Sequence, residues 1–261
     1  MIIAAATASG KTEAAFLPLL TRLWNSDGRG VVLYVAPMKA LINDQHERLS
    51  LLCERLDIPV YPWHGDTGEA PRKRFGTTPR GIVLITPESL ESLLFRRGAE
   101  LQHLFGALEA VVVDELHAFI SCERGRQLQS LLHRLESALG RRVQRVGLSA
   151  TLGDMGMAAD FLRLGEGKEV RVIVSAAGTK SLRLLVQAVM QPLSDNDIGE
   201  APHTSIAATL FKRLRDANYL IFPNSTGLVE FYADALRRHC EAELVPVTFF
   251  PHHGRLGKAE R

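Results

Sequence analysis

Residues 6–12 of the chain, ATASGKT, combine the residue types that bind the phosphates of a nucleotide. Small residues let successive backbone N–H groups surround an anion at the start of a helix. A lysine then reaches the β- and γ-phosphates and a hydroxyl binds Mg²⁺, and Lys11 and Thr12 fit these two roles. Ala5 stands where the stricter phosphate-loop pattern has its first glycine. The alternative is therefore a small-residue turn with a chance Gly-Lys-Thr sequence.

Two acidic residues, Asp114 and Glu115, directly follow the apolar run at 111–113. If that run is a buried strand, both carboxylates lie at the carboxyl edge of a sheet, where α/β proteins bind ligands. The first could hold Mg²⁺, and the second could orient or deprotonate an attacking water molecule. Such a pair alone is usually just the start of a helix, but together with a phosphate loop it predicts a nucleotide-hydrolysing site. The sequence SAT at 149–151 follows another apolar run, and alone it is weak because hydroxyls commonly cap helices.

The elements that must position these residues follow from the hydrophobic pattern. Short apolar runs without alternation are typical of strands buried on both faces of a parallel sheet. We also interpret the first residues, MIIAAA, as a strand. Helical spacing predicts one apolar face after Met38 and another within 126–139. The predicted strands are 31–35, 82–85, 111–113, 143–148, 170–174 and 219–222. The predicted faces are Leu41, Leu49, Leu52, Cys53 and Leu56, then Leu128, Leu131, Leu132, Leu135 and Leu139.

Strand and helix patterns alternate, so the predicted fold class is α/β with right-handed crossovers. Turn-rich sequence near residue 178 predicts a change of domain. Beyond it, residues 182–189 are strand-like, and we expect helices at 205–216 and 226–239 and strands at 219–223 and 244–250.

Composition excludes several classes of protein. The chain of 261 residues is 46% apolar and 23% charged, which excludes disordered, collagen-like and coiled-coil chains. A net charge of +2 excludes a nucleic-acid binder that relies mainly on the total charge of the protein. A local basic groove is still compatible with this net charge. Cys53, Cys122 and Cys240 are far apart, which fits a reducing cytosol and argues against a disulfide scaffold or a zinc site. No run reaches the ~18 apolar residues of a membrane span, and we expect a cytoplasmic, monomeric protein.

Five motifs occur in an order that resembles the superfamily 2 DEAD/DEAH-box helicases. They are GKT at 10–12, APMKAL at 36–41, TPESL at 86–90, DELH at 114–117 and SAT at 149–151. The segments ASGKTEAAFLP, DELHAF and GRQLQSLLHRLE, and the pair Gly65-Asp66, are similar to the large helicase-related, Ski2-like branch. The resemblance implies a RecA-like parallel sheet flanked by helices, followed by a truncated second RecA-like domain. It places the ATP-binding domain at 1–177, a linker and connecting strand at 178–203, and the partial second domain at 204–261.

The same resemblance implies roles for individual residues, with ATP and Mg²⁺ as cofactors. The catalytic residues would be Lys11, Asp114 and Glu115. The nucleotide would bind Thr7, Ala8, Ser9, Gly10, Lys11 and Thr12, and Mg²⁺ would bind Thr12 and Asp114. The residues that couple the nucleotide state to movement would be His117, Ser149 and Thr151.

A single strand of DNA or RNA is the partner that the resemblance implies, held through its backbone. Its contacts in the first domain would be Pro37, Lys39, Ala40, Gly65, Asp66, Thr86, Pro87 and Glu88. In the second domain the segments LIFPNS at 220–225 and FPHHGRL at 250–256 resemble family elements and imply contacts from Asn224, Ser225, His253 and Gly254. Physically, residues 86–89 also form an ordinary helix start, and both interpretations can hold at once. The adjacent histidines suggest a loop contact rather than a metal site, because neighbours on a strand face opposite ways.

We therefore expect an ATP-dependent helicase or translocase, of which this chain is a fragment with weak ATP binding and negligible turnover of its own. Neither the adenine-reading segment before the phosphate loop nor the later arginine-finger motifs of the family are found in the sequence. A non-catalytic module that binds ATP and nucleic acid is the first alternative, and another kind of P-loop ATPase is the second.

Overall fold

The computed structural model describes residues 1–6, 9–26, 28–150, 154–175, 184–189, 201–214 and 217–253. The chain divides into two units, Met1–Lys180 and Ser181–Arg261. Within the described residues, no helix combines the length and the apolar character needed to cross a membrane.

The first unit is built on a sheet of seven parallel strands, in the order β3-β4-β2-β5-β6-β1-β7. Strands β2 and β4 are buried along their whole length, because helices cover both faces of the sheet and each face needs apolar side chains. The strands are β1 (Ile2–Ala4), β2 (Val31–Val35), β3 (Val60–Trp63), β4 (Gly81–Ile85), β5 (Leu108–Val113), β6 (Gln144–Ser149) and β7 (Val172–Val174).

Among the described residues of the first unit, seven α-helices connect these strands, and together they form two apolar cores, one on each face of the sheet. Helices α1 and α2 contribute to one core, and α3 to α7 contribute to the other. The helices are α1 (Lys11–Asn25), α2 (Lys39–Cys53), α3 (Glu69–Thr77), α4 (Pro87–Arg96), α5 (Leu101–Phe105), α6 (Glu123–Leu139) and α7 (Met155–Leu162). This architecture confirms the predicted α/β class.

Of the two apolar helix faces predicted from the sequence, the structure confirms one in full and corrects the other. All five leucines predicted on α6 are buried, so that face is confirmed. On α2 the buried residues are Ile42, Gln45, Leu49 and Cys53, whereas Leu52 is 39% exposed. The spacing of seven and four residues from Ile42 through Leu49 to Cys53 keeps those three side chains on one stripe. Leu52 lies beside that stripe, and its inclusion in the face was wrong.

The second unit pairs helix α8 (Ala201–Arg213) with helix α9 (Thr226–Ala242). Phe211, Leu236 and Cys240 form its small core, against which Ile221, Val245 and Phe249 pack. The described residues at 184–189, 219–223 and 244–250 belong to no strand, so the prediction of strands there was wrong. The reason is that a strand needs a hydrogen-bonded neighbour. Here alternate side chains reach the helices, while Leu220 and Phe222 are each 84% exposed.

Candidate nucleotide and nucleic-acid sites

The carboxyl ends of three adjacent strands bring the predicted nucleotide residues to one part of the sheet edge. Strand β6 lies between β5 and β1, and Ala4 pairs with Ser149 while Val113 pairs with Gly147. Because all three strands are parallel, their following segments emerge on the same side. The phosphate loop, Asp114 and Ser149 therefore lie around a common edge.

The described residues around the start of α1 include a glycine in the left-handed region and a lysine held by backbone carbonyls. Gly10, the residue before α1, has φ of 80°, which is the left-handed region that glycine adopts without steric cost. The Lys11 ammonium donates hydrogen bonds to the carbonyl oxygens of Ala5 at 2.8 Å and Ala6 at 3.2 Å. These contacts hold the cation over the loop at the start of α1, where the helix dipole also favours an anion. Thr12 is buried at the first turn of α1, Ser9 is exposed beside it, and Thr7 and Ala8 lie outside the described residues.

Asp114 is held from two sides by neutral donors. The Tyr34 hydroxyl donates to Asp114 Oδ2, and the backbone N–H of Glu115 donates to Oδ1 at 2.9 Å. Asp114 is 7% exposed and Tyr34 is fully buried. Burial and the negative charge of Asp114 raise the pKa of Tyr34, so its hydroxyl stays protonated and donates. Both carboxylate oxygens of Asp114 thus accept a hydrogen bond, which fixes the orientation of the group at the sheet edge.

Glu115 and His117 continue from Asp114 into the edge of the sheet. Glu115 has φ of 46°, a left-handed conformation that is uncommon for a residue with a side chain. Its Oε2 lies 3.3 Å from His117 Nδ1. The same nitrogen lies 3.4 Å from Ser149 Oγ and 3.4 Å from the backbone N–H of Ala150. The structure thus places His117 next to Ser149, while Thr151 lies outside the described residues.

His117 Nδ1 cannot serve all three neighbours in one protonation state. As an unprotonated nitrogen it accepts from Ala150 and Ser149, and as a protonated nitrogen it donates to Glu115. The ring therefore lies between Glu115 and the end of β6.

The donors present at this edge fit Mg²⁺. This ion usually takes one or two carboxylates together with substrate phosphates and water, rather than a cage made wholly of protein ligands. Asp114 supplies a buried carboxylate and Thr12 a hydroxyl at the phosphate loop. The described part of the chain holds no cluster of three or more His, Cys, Asp or Glu residues that could bind a metal by itself.

The other half of the same sheet edge forms a cleft of about 540 Å³. Strands β3, β4 and β2 end here, and five of the residues predicted to contact nucleic acid line the cleft together with Trp63, Arg72, Ser89, Ser92 and Arg124. The five predicted residues are Pro37, Lys39, Gly65, Thr86 and Glu88.

Polar contacts within this cleft fix its walls. Lys39 Nζ lies 2.9 Å from Asp66 Oδ1 and 3.0 Å from Oδ2, and Ala40 follows Lys39 in the exposed first turn of α2. Thr86 caps α4, accepting from the backbone N–H of Ser89 at 3.3 Å, and Pro87 occupies the first turn. The structure thus confirms the ordinary helix start, and the same groups face the cleft.

Glu88 forms a two-point ion pair with Arg124, with distances of 2.6 Å and 3.0 Å. Burial raises the pKa of Glu88, but hydrogen bonds from Arg124 outweigh it and the pKa is lowered. Next to the cleft, burial lowers the pKa of His64, whose Nε2 lies 2.9 Å from Asn43 Oδ1. The lining of the cleft therefore combines the Lys39 ammonium group, the Glu88–Arg124 ion pair and the hydroxyl groups of Thr86 and Ser89.

In the second unit, Ser225 caps α9, accepting from the backbone N–H of Leu228 at 3.2 Å, and Asn224 precedes it, exposed. His253 Nε2 lies 2.5 Å from Glu230 Oε1. Gly254 lies outside the described residues.

Sequence reasoning missed Tyr34, Arg72 and Arg124. Tyr34 carries the only hydroxyl in the run VVLYV, and a polar tip inside an otherwise apolar buried strand usually needs a partner. That signal could have found it. No local pattern distinguishes Arg72 or Arg124 from surface arginines, because each reaches the cleft through the packing of helices.

Comparison with known proteins gives a consistent result. The sequence profile of DEAD/DEAH box helicases matches residues 1–158. The chain is 30% identical over 264 residues to the Lhr helicase/uracil glycosylase of Escherichia coli, a match that covers 88% of the chain and 17% of the relative. It is 32% identical to the Lhr helicase/probable uracil glycosylase of Mycolicibacterium smegmatis, covering 88% of the chain and 16% of the relative. The chain thus spans about a sixth of the length of these relatives.

Solved structures agree with the profile. The structure of the Mycobacterium smegmatis helicase Lhr bound to ssDNA and AMP-PNP has a TM-score of 0.78 and 30% identity, covering 100% of the chain and 35% of that protein. The helicase MrfA bound to DNA and AMPPNP has a TM-score of 0.70 and 21% identity, covering 94% of the chain and 34% of that protein. At that identity MrfA supports the fold alone.

Proposed function

Because this chain belongs to the DEAD/DEAH box helicase family, we propose that it provides the ATP-binding part of an ATP-dependent helicase or translocase. The observation that carries the proposal is the division of one sheet edge. The ends of β1, β5 and β6 hold phosphate-binding and acidic residues, and the ends of β2, β3 and β4 open into a cleft with a cation and hydroxyls.

At the first half of the edge, Lys11 and the backbone N–H groups at the start of α1 bind the phosphates of ATP. Thr12 and Asp114 hold Mg²⁺, which neutralises charge on the phosphates when it is bound. Glu115 orients and deprotonates the attacking water molecule. His117 responds to the state of Glu115 and transmits it to Ser149, with Thr151 as the third coupling residue.

At the second half of the edge, a single strand of nucleic acid lies along the cleft through its sugar-phosphate backbone. Thr86 and the start of α4 contact phosphates, and Lys39 supplies the charge. Pro37, Ala40 and Gly65 allow close approach, while Asp66 and Glu88 hold Lys39 and Arg124 in place. The helicase Lhr has been seen with ssDNA, which supports a single strand as the partner.

We also propose the domain limits 1–177 for the ATP-binding domain, 178–203 for the linker and 204–261 for the start of a second RecA-like domain. Asn224, Ser225, His253 and Gly254 would be the nucleic-acid contacts of that domain.

A nucleotide-binding experiment tests the first half of the proposal. Lys11→Ala should abolish binding of a fluorescent ATP analogue, because it removes the cation over the loop. Lys168→Ala changes an exposed lysine in the turn Gly167–Glu169 and should leave binding unchanged. Equal binding by both variants and the wild type would show that the loop after β1 is not the phosphate site.

Hydrolysis tests the role of Glu115. Glu115→Gln keeps the shape of the side chain and should retain ATP binding, while any hydrolysis stimulated by single-stranded nucleic acid disappears. Persistent stimulated hydrolysis in this variant would assign the base to another residue.

A further inference from the structure

A second cleft lies beside the cleft of about 540 Å³ that Lys39 and Thr86 line, called the Lys39–Thr86 cleft from here on, and runs between α3 and α4. It has a volume of about 710 Å³ and shares Trp63, Arg72 and Ser92 with the first cleft. The shared residues make the two clefts direct neighbours. We call the second cleft the arginine groove, defined by Trp63, Arg72, Lys73, Ser92, Arg96 and Arg97.

The arginine groove concentrates positive charge. Four basic side chains line it, against the single carboxylate of Glu69, although the whole chain carries only +2. A local field of one sign along a groove attracts a polyanion and raises its concentration there. The charge is therefore matched to a phosphate backbone and not to an isolated apolar ligand.

The basic side chains differ in how far their charge is already used. Lys73 pairs with Glu69 at 3.0 Å, and Arg97 Nε donates to Glu100 at 3.1 Å. Arg96, in contrast, is exposed, and no carboxylate of the described residues forms an ion pair with it. Its guanidinium group is thus available to an anion that enters the groove.

Arg72 connects the two clefts. Its guanidinium lies over the Trp63 ring at 5.8 Å from the centroid and donates to the carbonyl oxygen of His64 at 2.6 Å. Its buried Nε atom has no hydrogen-bond partner among the described residues. The Trp63 ring and the His64 carbonyl thus hold the half-buried Arg72 side chain in a fixed orientation where it lines both clefts, which prepares its guanidinium group for a phosphate.

The wall and floor of the groove suit a backbone rather than base edges. Gly76 lies where a Cβ atom would approach a guanidinium nitrogen of Arg97 to 3.2 Å, so the missing side chain lets Arg97 lie across α3. Ser92 adds a hydroxyl. Helix α4 has 10 residues and is about 15 Å long. Because successive phosphates of one strand are closer together than this, a wall of the groove is long enough to pass more than one phosphate.

We propose that the arginine groove binds the sugar-phosphate backbone of the single strand beyond the Lys39–Thr86 cleft, with Arg72 and Arg96 as the phosphate contacts. The inference rests on the proposed function, because it extends the same strand along α4. The groove adds affinity and length to the binding site without reading sequence.

Salt dependence of binding tests the groove. Fluorescence anisotropy would measure the affinity of oligothymidylates for the full chain over a range of salt concentrations. For a long oligonucleotide, Arg96→Gln should weaken binding and reduce the slope of log K against log salt by about 0.7, the value for one phosphate contact of a single strand. For an oligonucleotide short enough to fill only the first cleft, the variant should match the wild type. Arg134→Gln, which changes an exposed arginine on α6, is the matched control. It should change neither the affinity nor the slope for either oligonucleotide.

The outcomes separate the two proposals. If the wild type binds no oligonucleotide, the proposed function fails. If the wild type binds and Lys39→Ala weakens binding, but Arg96→Gln leaves the slope unchanged for long oligonucleotides, the groove proposal alone is overturned. Competition by polyglutamate as effective as that by oligothymidylate of equal charge would also overturn it, because the groove would then be an acidic-peptide site.

Discussion

Replacing Tyr34 with phenylalanine removes one hydroxyl group, which in the described part of the chain donates its hydrogen bond to a buried carboxylate. The hydroxyl donates to Asp114 Oδ2, and Tyr34 is fully buried on β2, so water cannot take over the bond. Asp114 would then keep the Glu115 N–H as its donor on Oδ1 and lose the one on Oδ2. The fold of the sheet should not change, because the ring that packs against Phe16 at 5.9 Å remains.

The expected cost follows from the type of bond. A hydrogen bond to a charged group contributes about 1.5–3 kcal/mol to stability, and leaving the charged partner buried without its donor costs a similar amount. We expect the free energy of unfolding of the first unit to fall by about 1.5–3 kcal/mol. Tyr61→Phe is the matched control, because Tyr61 is also buried on the sheet and packs against Phe75, and it should cost less.

Tryptophan fluorescence in a urea titration provides the measurement. The only two tryptophans of the chain, Trp24 and Trp63, both lie in the first unit, so the signal reports the unfolding of that unit. A double-mutant cycle with Asp114→Ala isolates the pair, and its coupling energy should also be about 1.5–3 kcal/mol. A coupling energy near zero would refute the reasoning, since it would mean that the hydroxyl does not support the carboxylate.

Three further predictions concern the loop, the cleft and a buried ion network. Gly10→Ala should weaken ATP binding, because φ of 80° costs a residue with a side chain about 1 kcal/mol or more; unchanged affinity in a titration with a fluorescent analogue would contradict this. Thr86→Ala should lower the free energy of unfolding by about 1 kcal/mol through loss of the α4 cap, and a thermal melt without any shift would argue against the cap. Burial raises the pKa of Glu136, but the Val143 N–H and the guanidinium groups of Arg145 and Arg163 outweigh it and hold the pKa below its ordinary value of 4.5. The stability that Glu136 contributes is therefore present above pH 4.5 and is lost as the pH falls below it. Urea titrations at several pH values measure the free energy of unfolding of Glu136→Gln and of the wild type. The difference between these two free energies should shrink as the pH falls below 4.5, and a difference that stays constant would disprove the prediction.

Buried strands were the most predictable part of the fold. The runs at 31–35, 82–85 and 111–113 lie inside the observed β2, β4 and β5, because a strand covered on both faces must be apolar throughout. Strand β3 was missed, since it lies at the sheet edge with an alternating burial pattern and contains Pro62. An edge strand needs fewer apolar residues and tolerates proline, so the sequence signal is weak there.

Site residues could be predicted from the sequence where they belong to one short motif. Contacts between residues of different helices and strands could not. Asp114 directly follows β5, Ser149 ends β6, and Lys11 opens the helix after β1, so strand order brings the three segments to one edge. The Glu88–Arg124 pair joins two helices, and the Arg72–Trp63 contact joins α3 to β3. Such contacts depend on how helices pack on the sheet, which a single sequence does not encode locally.

The position of β1 has a consequence for how the nucleotide edge forms during folding. Ile2 pairs with Gly147 on one side and with Val172 on the other, so β1 enters the sheet only through strands that lie far away in the sequence. Such long-range pairing is slow, because the long loop between the partners must close first. We therefore expect β1, and the segment that follows it, to reach the sheet edge only after the strands between them have assembled.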